Sequence, residues 1–199
     1  MTDDEALAGQ LASNLAAGFE ALARAYAGRL YAFALRLGAH PEDAEEVAQD
    51  TLLRAYRALA GYDVERRRTL MPRAWLFAIA LNVQRNRVRG RRLTFVPLAS
   101  PSADDASADG YEPEGNARER PEAVAEAEET RRELAAALMT LPERFRLAVV
   151  LRHVQGLSYA EAAVVLGAPV GTVKAHVHRG VRQLRTALEA QRALEEVAR

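Results

Sequence analysis

The chain has 199 residues, 27 basic and 27 acidic side chains with a formal net charge of zero, and no cysteine. The lack of cysteine excludes a disulfide scaffold and thiol redox chemistry, and an apolar fraction of 49% argues against wholesale disorder. No apolar run approaches the roughly 18 residues of a membrane helix, and the acidic start at Asp3, Asp4 and Glu5 does not fit a signal peptide, so we expect a soluble cytoplasmic chain.

Three helices are predicted in the first ordered region, residues 18–92, which follows an N-terminal extension at 1–17. The first helix shows apolar residues at helical spacing and ends at Gly38. The second begins at Pro41, and its apolar face consists of Val47, Thr51, Ala55 and Leu59. The third runs from about Pro72 to Arg89. Its polar face, opposite the apolar one, is formed by Asn82, Arg85, Asn86 and Arg89.

A linker is predicted between the two ordered regions, at residues 93–121. Residues 97–121 hold four of the eight prolines, together with clusters of serine, aspartate and glycine. From 103 to 129 the chain carries ten acidic residues against two arginines, a net charge of −8. Such a segment buries too little apolar surface to offset its ordering entropy, so we expect it to be flexible.

The second ordered region, residues 122–190, also has helical patterns, and a C-terminal tail follows at 191–199. Thr140 and Glu143 have the spacing of a capping box ahead of a helix that runs to Val154. No strand pattern occurs anywhere in the sequence. The fold class that we expect is therefore all-α.

A helix-turn-helix is predicted from Ser158 onward. Ser158 and Glu161 have capping-box spacing, the short helix ends at Gly167, and a long helix with a basic face begins near Gly171. An α-helix fits the DNA major groove, where base edges present distinguishable donors and acceptors. Residues early in this helix are therefore candidates for contacts with bases or phosphates. The pattern alone does not separate the motif from any antiparallel helix pair.

Two basic blocks flank the acidic linker. Residues 64–92 contain nine arginines against one acid, a net charge of +8, and residues 170–185 contain four basic residues and no acid. Clusters of this kind indicate a polyanion partner, because neutralising phosphates releases counterions. A solvated helix face would explain either block alone, whereas two such blocks on helices with apolar opposite faces favour nucleic acid.

Both ordered regions resemble those of extracytoplasmic-function (ECF) RNA polymerase sigma factors. Residues 41–56 (P-x-D-A-E-E-V-x-Q-D-T-L-x-R-A-Y) and 75–82 (W-L-x-x-I-A-x-N) are similar to sigma region 2. Residues 156–163 (G-L-S-Y-x-E-x-A) and 171–180 (G-T-V-K-x-H-x-x-R-G) are similar to sigma region 4. The resemblance implies a region 2 helical bundle, a flexible acidic linker and a winged-helix-like region 4 domain that contains the helix-turn-helix.

The resemblance also implies three sets of site residues. The exposed residues of helix 43–56 that would bind core polymerase are Asp43, Glu46, Gln49, Asp50 and Arg54. The residues that would open and hold the −10 element, the first three of them in a loop, are Arg66, Arg67, Arg68, Arg73, Asn82, Arg85, Asn86 and Arg89, and Arg87 would hold a phosphate. The residues that would read the −35 element are Thr172, Lys174, Ala175, His176, Arg179 and Arg182.

Some positions leave alternatives open. Trp75 would suit a wedge that melts DNA, although its place on the apolar face favours the core. Asn86, Ala175 and His176 differ from residues that are common in the family, so the promoter preferences do not follow from the resemblance. The acidic linker resembles the segment that threads toward the RNA exit path, and a flexible tether is the alternative.

The resemblance implies the partners as well. We expect promoter DNA, an anti-sigma factor, and the core polymerase, bound through the clamp helices of its largest subunit and the flap of its second-largest subunit. We expect a monomer when free, with no membrane insertion, metal, cofactor or enzymatic activity of its own, located in the cytoplasm and with the nucleoid when bound to polymerase. The rival hypotheses are a stand-alone helix-turn-helix regulator and a helical adaptor that sequesters an anti-sigma protein. Only a sigma factor needs helix 43–56 to bind polymerase.

Overall fold

The computed structural model describes residues 3–94 and 121–197, with side chains over 3–89, 129–191 and at Ala193. The helices in these ranges are α1 (Asp3–Ser13), α2 (Leu15–Arg36), α3 (Pro41–Ala60), α4 (Val64–Arg68), α5 (Pro72–Thr94), α6 (Pro121–Thr140), α7 (Glu143–Val149) with a π-helical turn (Val150–Val154), α8 (Tyr159–Leu166) and α9 (Val170–Val197). They form two compact units, the first built on α1–α5 and the second on α6–α9. The all-α prediction is confirmed, and most of the predicted linker lies outside the described residues.

The predicted N-terminal extension is mostly a helix of the first unit. Helix α1 packs against α4 and α5, and its Leu11 is fully buried. Gly18 lets α2 approach α1 closely, because a Cβ atom at Gly18 would lie 2.6 Å from the backbone nitrogen of Leu11. Asn14 caps α2, since its Oδ1 accepts a hydrogen bond from the backbone N–H of Ala17 at 3.1 Å. The first unit therefore includes α1 as well as the helices predicted within residues 18–92.

Helix α3 follows the predicted pattern and forms the centre of the first unit. Its predicted apolar face is fully buried and consists of Val47, Thr51, Ala55 and Leu59. The hydroxyl of Thr51 donates to the carbonyl of Val47 at 2.6 Å, so this polar side chain is satisfied inside the core. Helices α2 and α5 complete the core through the rings of Phe33 and Phe77, whose centroids are 5.0 Å apart.

The helix-turn-helix in the second unit forms as its capping signals predict. The Ser158 hydroxyl accepts from the backbone N–H of Glu161 at 3.2 Å, and the Glu161 carboxylate accepts from the backbone N–H of Ser158 at 2.7 Å. Gly167 ends α8 with φ of +61°, a left-handed conformation that glycine adopts without strain. The capping box and the helix end are both confirmed.

The capping box expected at Thr140 in the second unit is wrong. Thr140 is the last residue of α6, and its hydroxyl donates to the carbonyl of Ala137 at 2.8 Å instead of capping α7. Helix α7 starts only after Pro142, so Glu143 is the first helical residue and not the third, as a capping box requires. The predicted helix from Glu143 to Val154 is confirmed in its extent, although it widens into a π-helical turn after Val149.

The winged-helix-like prediction for the second unit has no support in the described residues. A wing is a strand hairpin, and no strand is assigned in 121–197. Instead, α9 packs on α7, α8 and α6. Gly180 permits close contact with α7, because a Cβ atom at Gly180 would lie 2.6 Å from Cγ2 of Val149 and 3.2 Å from the carbonyl oxygen of Phe145. The second unit is therefore a helical helix-turn-helix domain.

Candidate nucleic-acid interface

One face of α5 is polar and exposed. It consists of Asn82, Arg85, Asn86 and Arg89, which recur at helical spacing. The opposite face is buried and consists of Leu76, Phe77, Ala80, Leu81 and Val83. We call the first set the α5 polar face. It carries amide and guanidinium donors on a helix whose position is fixed by its buried side, as a surface that binds DNA requires.

Arg87 does not belong to the α5 polar face. Its guanidinium lies 3.7 Å from the carboxylate of Asp43 and bonds to the carboxylate of Glu46, both on α3. The expectation that Asp43 is exposed is wrong, because the residue is only 9% exposed. Asp43 precedes Val47 by one helical turn and so lies on the buried stripe of α3, opposite α5. The phosphate-holding role expected of Arg87 is likewise replaced by a contact between helices.

The remaining polar candidates on α3 do lie at the surface. Glu46, Gln49 and Arg54 are exposed and Asp50 is half-buried, and an ion pair of 3.5 Å joins Arg54 to Asp50. The sequence reasoning missed Leu53, an apolar side chain that is 46% exposed within this set. Its position off the buried stripe of α3 was the available signal. The α3 surface, formed by Glu46, Gln49, Asp50, Leu53 and Arg54, thus combines charged side chains with an exposed apolar one. Such a combination is common in protein interfaces.

The three arginines that precede α5 lie in helix α4 and not in a loop. Asp63 caps this short helix by accepting from the backbone N–H of Arg66 at 2.7 Å. Arg67 donates through Nε to the carbonyl of Leu59 at 3.0 Å, so it connects α4 to the end of α3. Arg68 pairs with Glu65 at 3.2 Å. Arg67 therefore has a structural contact within the unit, and its expected role at the −10 element stays a prediction.

Aromatic rings accompany α4. The guanidinium of Arg66 lies 3.8 Å from the ring centroid of Tyr62, a distance that indicates a cation–π contact. The rings of Tyr62 and Trp75 are 6.1 Å apart and tilted. Trp75 is half-buried, so it is neither the fully buried core residue nor the exposed wedge that the sequence left open. Together the three side chains place one cation on an aromatic surface.

Arg73 is held against α1. Its Nε lies 3.8 Å from Oδ2 of Asp4, and the hydroxyl of Tyr26 donates to Oδ1 of the same carboxylate at 3.1 Å. Burial, and then the Asp4 charge, raises the pKa of Tyr26 to about 12, which keeps its hydroxyl protonated as a donor. The expectation that Arg73 faces the −10 element is not supported, because Arg73 lies in a contact between helices.

The outward face of α9 carries the candidates for duplex DNA. Thr172, Lys174, Arg179 and Arg182 are exposed, whereas Val173 and Val177 are buried against the helices beneath. We call these four exposed residues the α9 polar face.

Two expected base-reading residues on α9, Ala175 and His176, are less exposed than the α9 polar face. Ala175 and His176 are half-buried, and the ring of His176 meets the ring of Phe145 edge to face at a centroid distance of 5.4 Å. His176 follows the buried Val173 by three positions and so shares its side of the helix. His176 thus contacts α7, and its expected reading of a base edge stays a prediction.

Among the described side chains, at 3–89, 129–191 and Ala193, no group of three or more histidine, aspartate or glutamate residues is arranged to hold a metal ion. No helix in the same ranges is long and apolar enough to cross a membrane.

Two family regions match the chain in order. The family described as Sigma-70 region 2 matches residues 22–94, and the family described as Sigma-70, region 4 matches residues 131–184. The first match covers α3, α4 and α5 with most of α2, and the second covers the helix-turn-helix with the α9 polar face.

The chain is also similar to whole sigma factors. It is 33% identical over 167 residues to the ECF RNA polymerase sigma factor SigE of Mycolicibacterium smegmatis, a match that covers 84% of this chain but only 60% of that longer relative. It is 35% identical over 141 residues to the ECF RNA polymerase sigma-E factor of Escherichia coli K12, covering 69% of each chain. In a co-crystal structure from Bartonella quintana, the sigma factor RpoE bound to the anti-sigma factor NepR matches with a TM-score of 0.59 at 26% identity, covering 86% of this chain and 96% of that chain.

Proposed function

The chain belongs to the ECF RNA polymerase sigma factors of the Sigma-70 family, and on that premise we propose a division of labour between its two units. A sigma factor of this family binds RNA polymerase and directs promoter-specific initiation. In our proposal the first unit binds core polymerase and opens the −10 element, and the second unit reads the −35 element. The observation that carries the proposal is the presence of both regions in one chain. Each region has a helix with one side buried and an exposed polar face on the other side.

The −10 role is assigned to the α5 polar face. Opening a duplex costs a few kcal/mol for each unstacked base, and a basic surface that holds the displaced strand offsets part of that cost. Asn82 and Asn86 both donate and accept hydrogen bonds and so suit a base edge, whereas Arg85 and Arg89 suit phosphates. Arg66, which lies on the ring of Tyr62 in α4, is a further exposed cation of the first unit.

The −35 role is assigned to the α9 polar face. Lys174 and Arg179 lie in the first half of α9, where a recognition helix enters the major groove, and both suit the acceptor edge of guanine. Thr172 in the first turn and Arg182 further along suit phosphates. Ala175 lies at helical spacing between Thr172 and Arg179 and adds a small apolar side chain to this surface, and His176 supports α9 through its contact with Phe145.

The proposed protein partners are RNA polymerase and an anti-sigma factor. The α3 surface, with Glu46, Gln49, Asp50, Leu53 and Arg54, binds the clamp helices of the largest polymerase subunit, and the second unit meets the flap of the second-largest subunit. An anti-sigma factor is a further partner, by analogy with the sigma factor RpoE bound to NepR. When no partner is bound, we propose that the chain is a monomer.

We propose that the chain supplies recognition and leaves the chemistry to polymerase. Its site of action is then the cytoplasm, and the nucleoid when it is part of the holoenzyme. A stand-alone helix-turn-helix regulator is not favoured, because such a protein gives no role to the region 2 match at residues 22–94.

Run-off transcription with purified core polymerase tests the proposal. The chain is mixed with core enzyme on a library of promoter fragments, and the transcripts are sequenced. We expect starts that share two sequence elements at a fixed separation, and none with core enzyme alone. A chain that neither co-purifies with core polymerase nor selects start sites would refute the proposal.

A further inference from the structure

Two cationic side chains of the second unit approach one aromatic ring. Tyr159 is the first residue of α8, and its ring centroid lies 5.1 Å from Cζ of Arg152 and 5.7 Å from Nζ of Lys174. A cation within about 6 Å of a ring centroid is attracted by the negative face of the ring. The ring is half-buried, while Lys174 is exposed.

The ring of Tyr159 is held in place from two directions. The capping box between Ser158 and Glu161 fixes the backbone at the start of α8. Arg152, in the π-helical turn after α7, donates through Nη1 to the carbonyl of Leu157 at 3.1 Å and so keeps its guanidinium beside the ring. The position of Tyr159 is therefore set by the fold before any DNA is bound.

A lysine side chain loses more freedom on binding than most residues. Its ammonium group is carried on a flexible four-carbon stem, and a confined ammonium has less entropy to lose when it meets a base. Arg152 lies near the same ring, so repulsion between the two charges disfavours conformations in which Lys174 folds back toward Arg152.

We propose that Tyr159 is a positioning residue, whose ring confines the ammonium group of Lys174 and thereby sharpens its discrimination among base pairs. The proposal rests on the proposed function, in which α9 lies in the major groove. Tyr159 on α8 acts on DNA recognition only through Lys174 on α9. The tyrosine itself makes no contact with a base.

Nuclear magnetic resonance tests the geometric part of the proposal without DNA. Lys174 is the only lysine in the chain, so protein labelled with isotopic lysine gives one set of lysine side-chain signals. We expect the ε-proton signals to lie upfield of their positions in the urea-unfolded chain, because the ring shields them. The shift should persist in Tyr159→Phe and vanish in Tyr159→Leu. Unshifted signals in the native chain would overturn the proposal, and that comparison needs no variant to fold.

Promoter binding by the reconstituted holoenzyme tests the functional part. Duplexes differing at single −35 base pairs are compared on a promoter that run-off transcription has selected. Tyr159→Leu should reduce discrimination at the base pair read by Lys174 by about 2–5-fold, the size expected of an exposed cation–π contact, while Tyr159→Phe retains it. Equal losses in Tyr159→Leu and Tyr159→Phe would assign the effect to the hydroxyl and overturn the proposal.

A double-mutant cycle establishes whether Tyr159 acts through Lys174. In a Lys174→Ala background, Tyr159→Leu should cause no further loss, whereas in an Arg179→Ala background it should retain its full effect. Additive losses with Lys174→Ala would overturn the proposal. If the wild-type holoenzyme selects no start site, the proposed function fails, and the lysine signals still decide whether the ring confines Lys174. If Lys174→Ala leaves −35 discrimination unchanged, both base reading and positioning by Tyr159 are refuted.

Discussion

The two units hold the cations of their basic segments differently. In the first unit, several arginines of the block 64–92 contact groups within the unit: Arg67 the carbonyl of Leu59, Arg73 the carboxylate of Asp4, and Arg87 the carboxylates on α3. In the second unit, the block 170–185 contains no acid, and its cations lie on the outer face of α9. The formal charge of a segment therefore overstates what is available to DNA when acids from other helices lie opposite.

The largest effect is expected from reversing charge on the α5 polar face. In Arg85→Glu with Arg89→Glu, two side chains proposed to hold phosphates become repulsive, so promoter opening should fall about a hundredfold, or about 3 kcal/mol. Permanganate footprinting of open complexes measures this loss. Arg24→Glu is the matched control, since Arg24 is an exposed arginine on α2 that pairs with Glu20. Equal losses in the double variant and the control would show that the α5 polar face has no special part in opening.

The next effect concerns how α9 is seated on α7. In Gly180→Ala the added methyl would lie 2.6 Å from Val149 Cγ2, so helices must separate and the free energy of unfolding should fall by about 2–3 kcal/mol. Gly171→Ala, where nothing lies within 4 Å of the added atom, is the control and should be neutral or slightly stabilising. Urea unfolding measures both. A stable Gly180→Ala chain would mean that the position of α9 does not depend on this close contact.

Arg87 and Arg89 provide a direct comparison within one helix turn. Arg87→Ala leaves the nearly buried carboxylate of Asp43 without this cation, so we expect a loss of about 2 kcal/mol in stability. Arg89→Ala, on the exposed face, should change stability by less than about 0.5 kcal/mol but weaken open complexes. Thermal unfolding and footprinting on both variants separate the two roles. If Arg87→Ala is as stable as wild type, the α3–α5 ion pair contributes nothing measurable.

Much of the local structure could be predicted from sequence, because it depends on local chemistry. The buried stripe of α3 follows from the spacing of Val47, Thr51, Ala55 and Leu59. The start and the end of α8 follow from the Ser158–Glu161 capping box and from Gly167. In each case the deciding interactions lie within one helix and its immediate neighbours in sequence.

Side-chain roles were harder to predict, since they depend on other helices. Asp43 was assigned to the surface by the resemblance to sigma region 2, although its spacing from Val47 places it opposite Arg87. His176 was assigned to DNA by the motif, yet its ring packs on Phe145. The burial of α1 was missed because its apolar residues are few, and close contact at Gly18 decides where it lies. Residue type predicts a surface poorly when the partner is distant in sequence.

The smallest predicted effect tests whether α1 restrains a basic residue of the first unit. Tyr26→Phe removes the hydroxyl that donates to Asp4, so Asp4 should hold Arg73 less firmly and stability should fall by about 1 kcal/mol at neutral pH. Tyr56→Phe, with an exposed hydroxyl-bearing ring, is the control and should leave stability unchanged.

The pH dependence of the same variant gives an independent check. Folding raises the pKa of Tyr26 from 10.0 to about 12, so the unfolded chain releases this proton first as pH increases. The corresponding stability is complete below pH 10 and is lost as the pH rises toward 12. The stability difference between wild type and Tyr26→Phe should therefore narrow over this window in urea unfolding. A constant difference from pH 9 to pH 12 would mean that the buried hydroxyl does not anchor Asp4, and that Arg73 owes its inward position to packing alone.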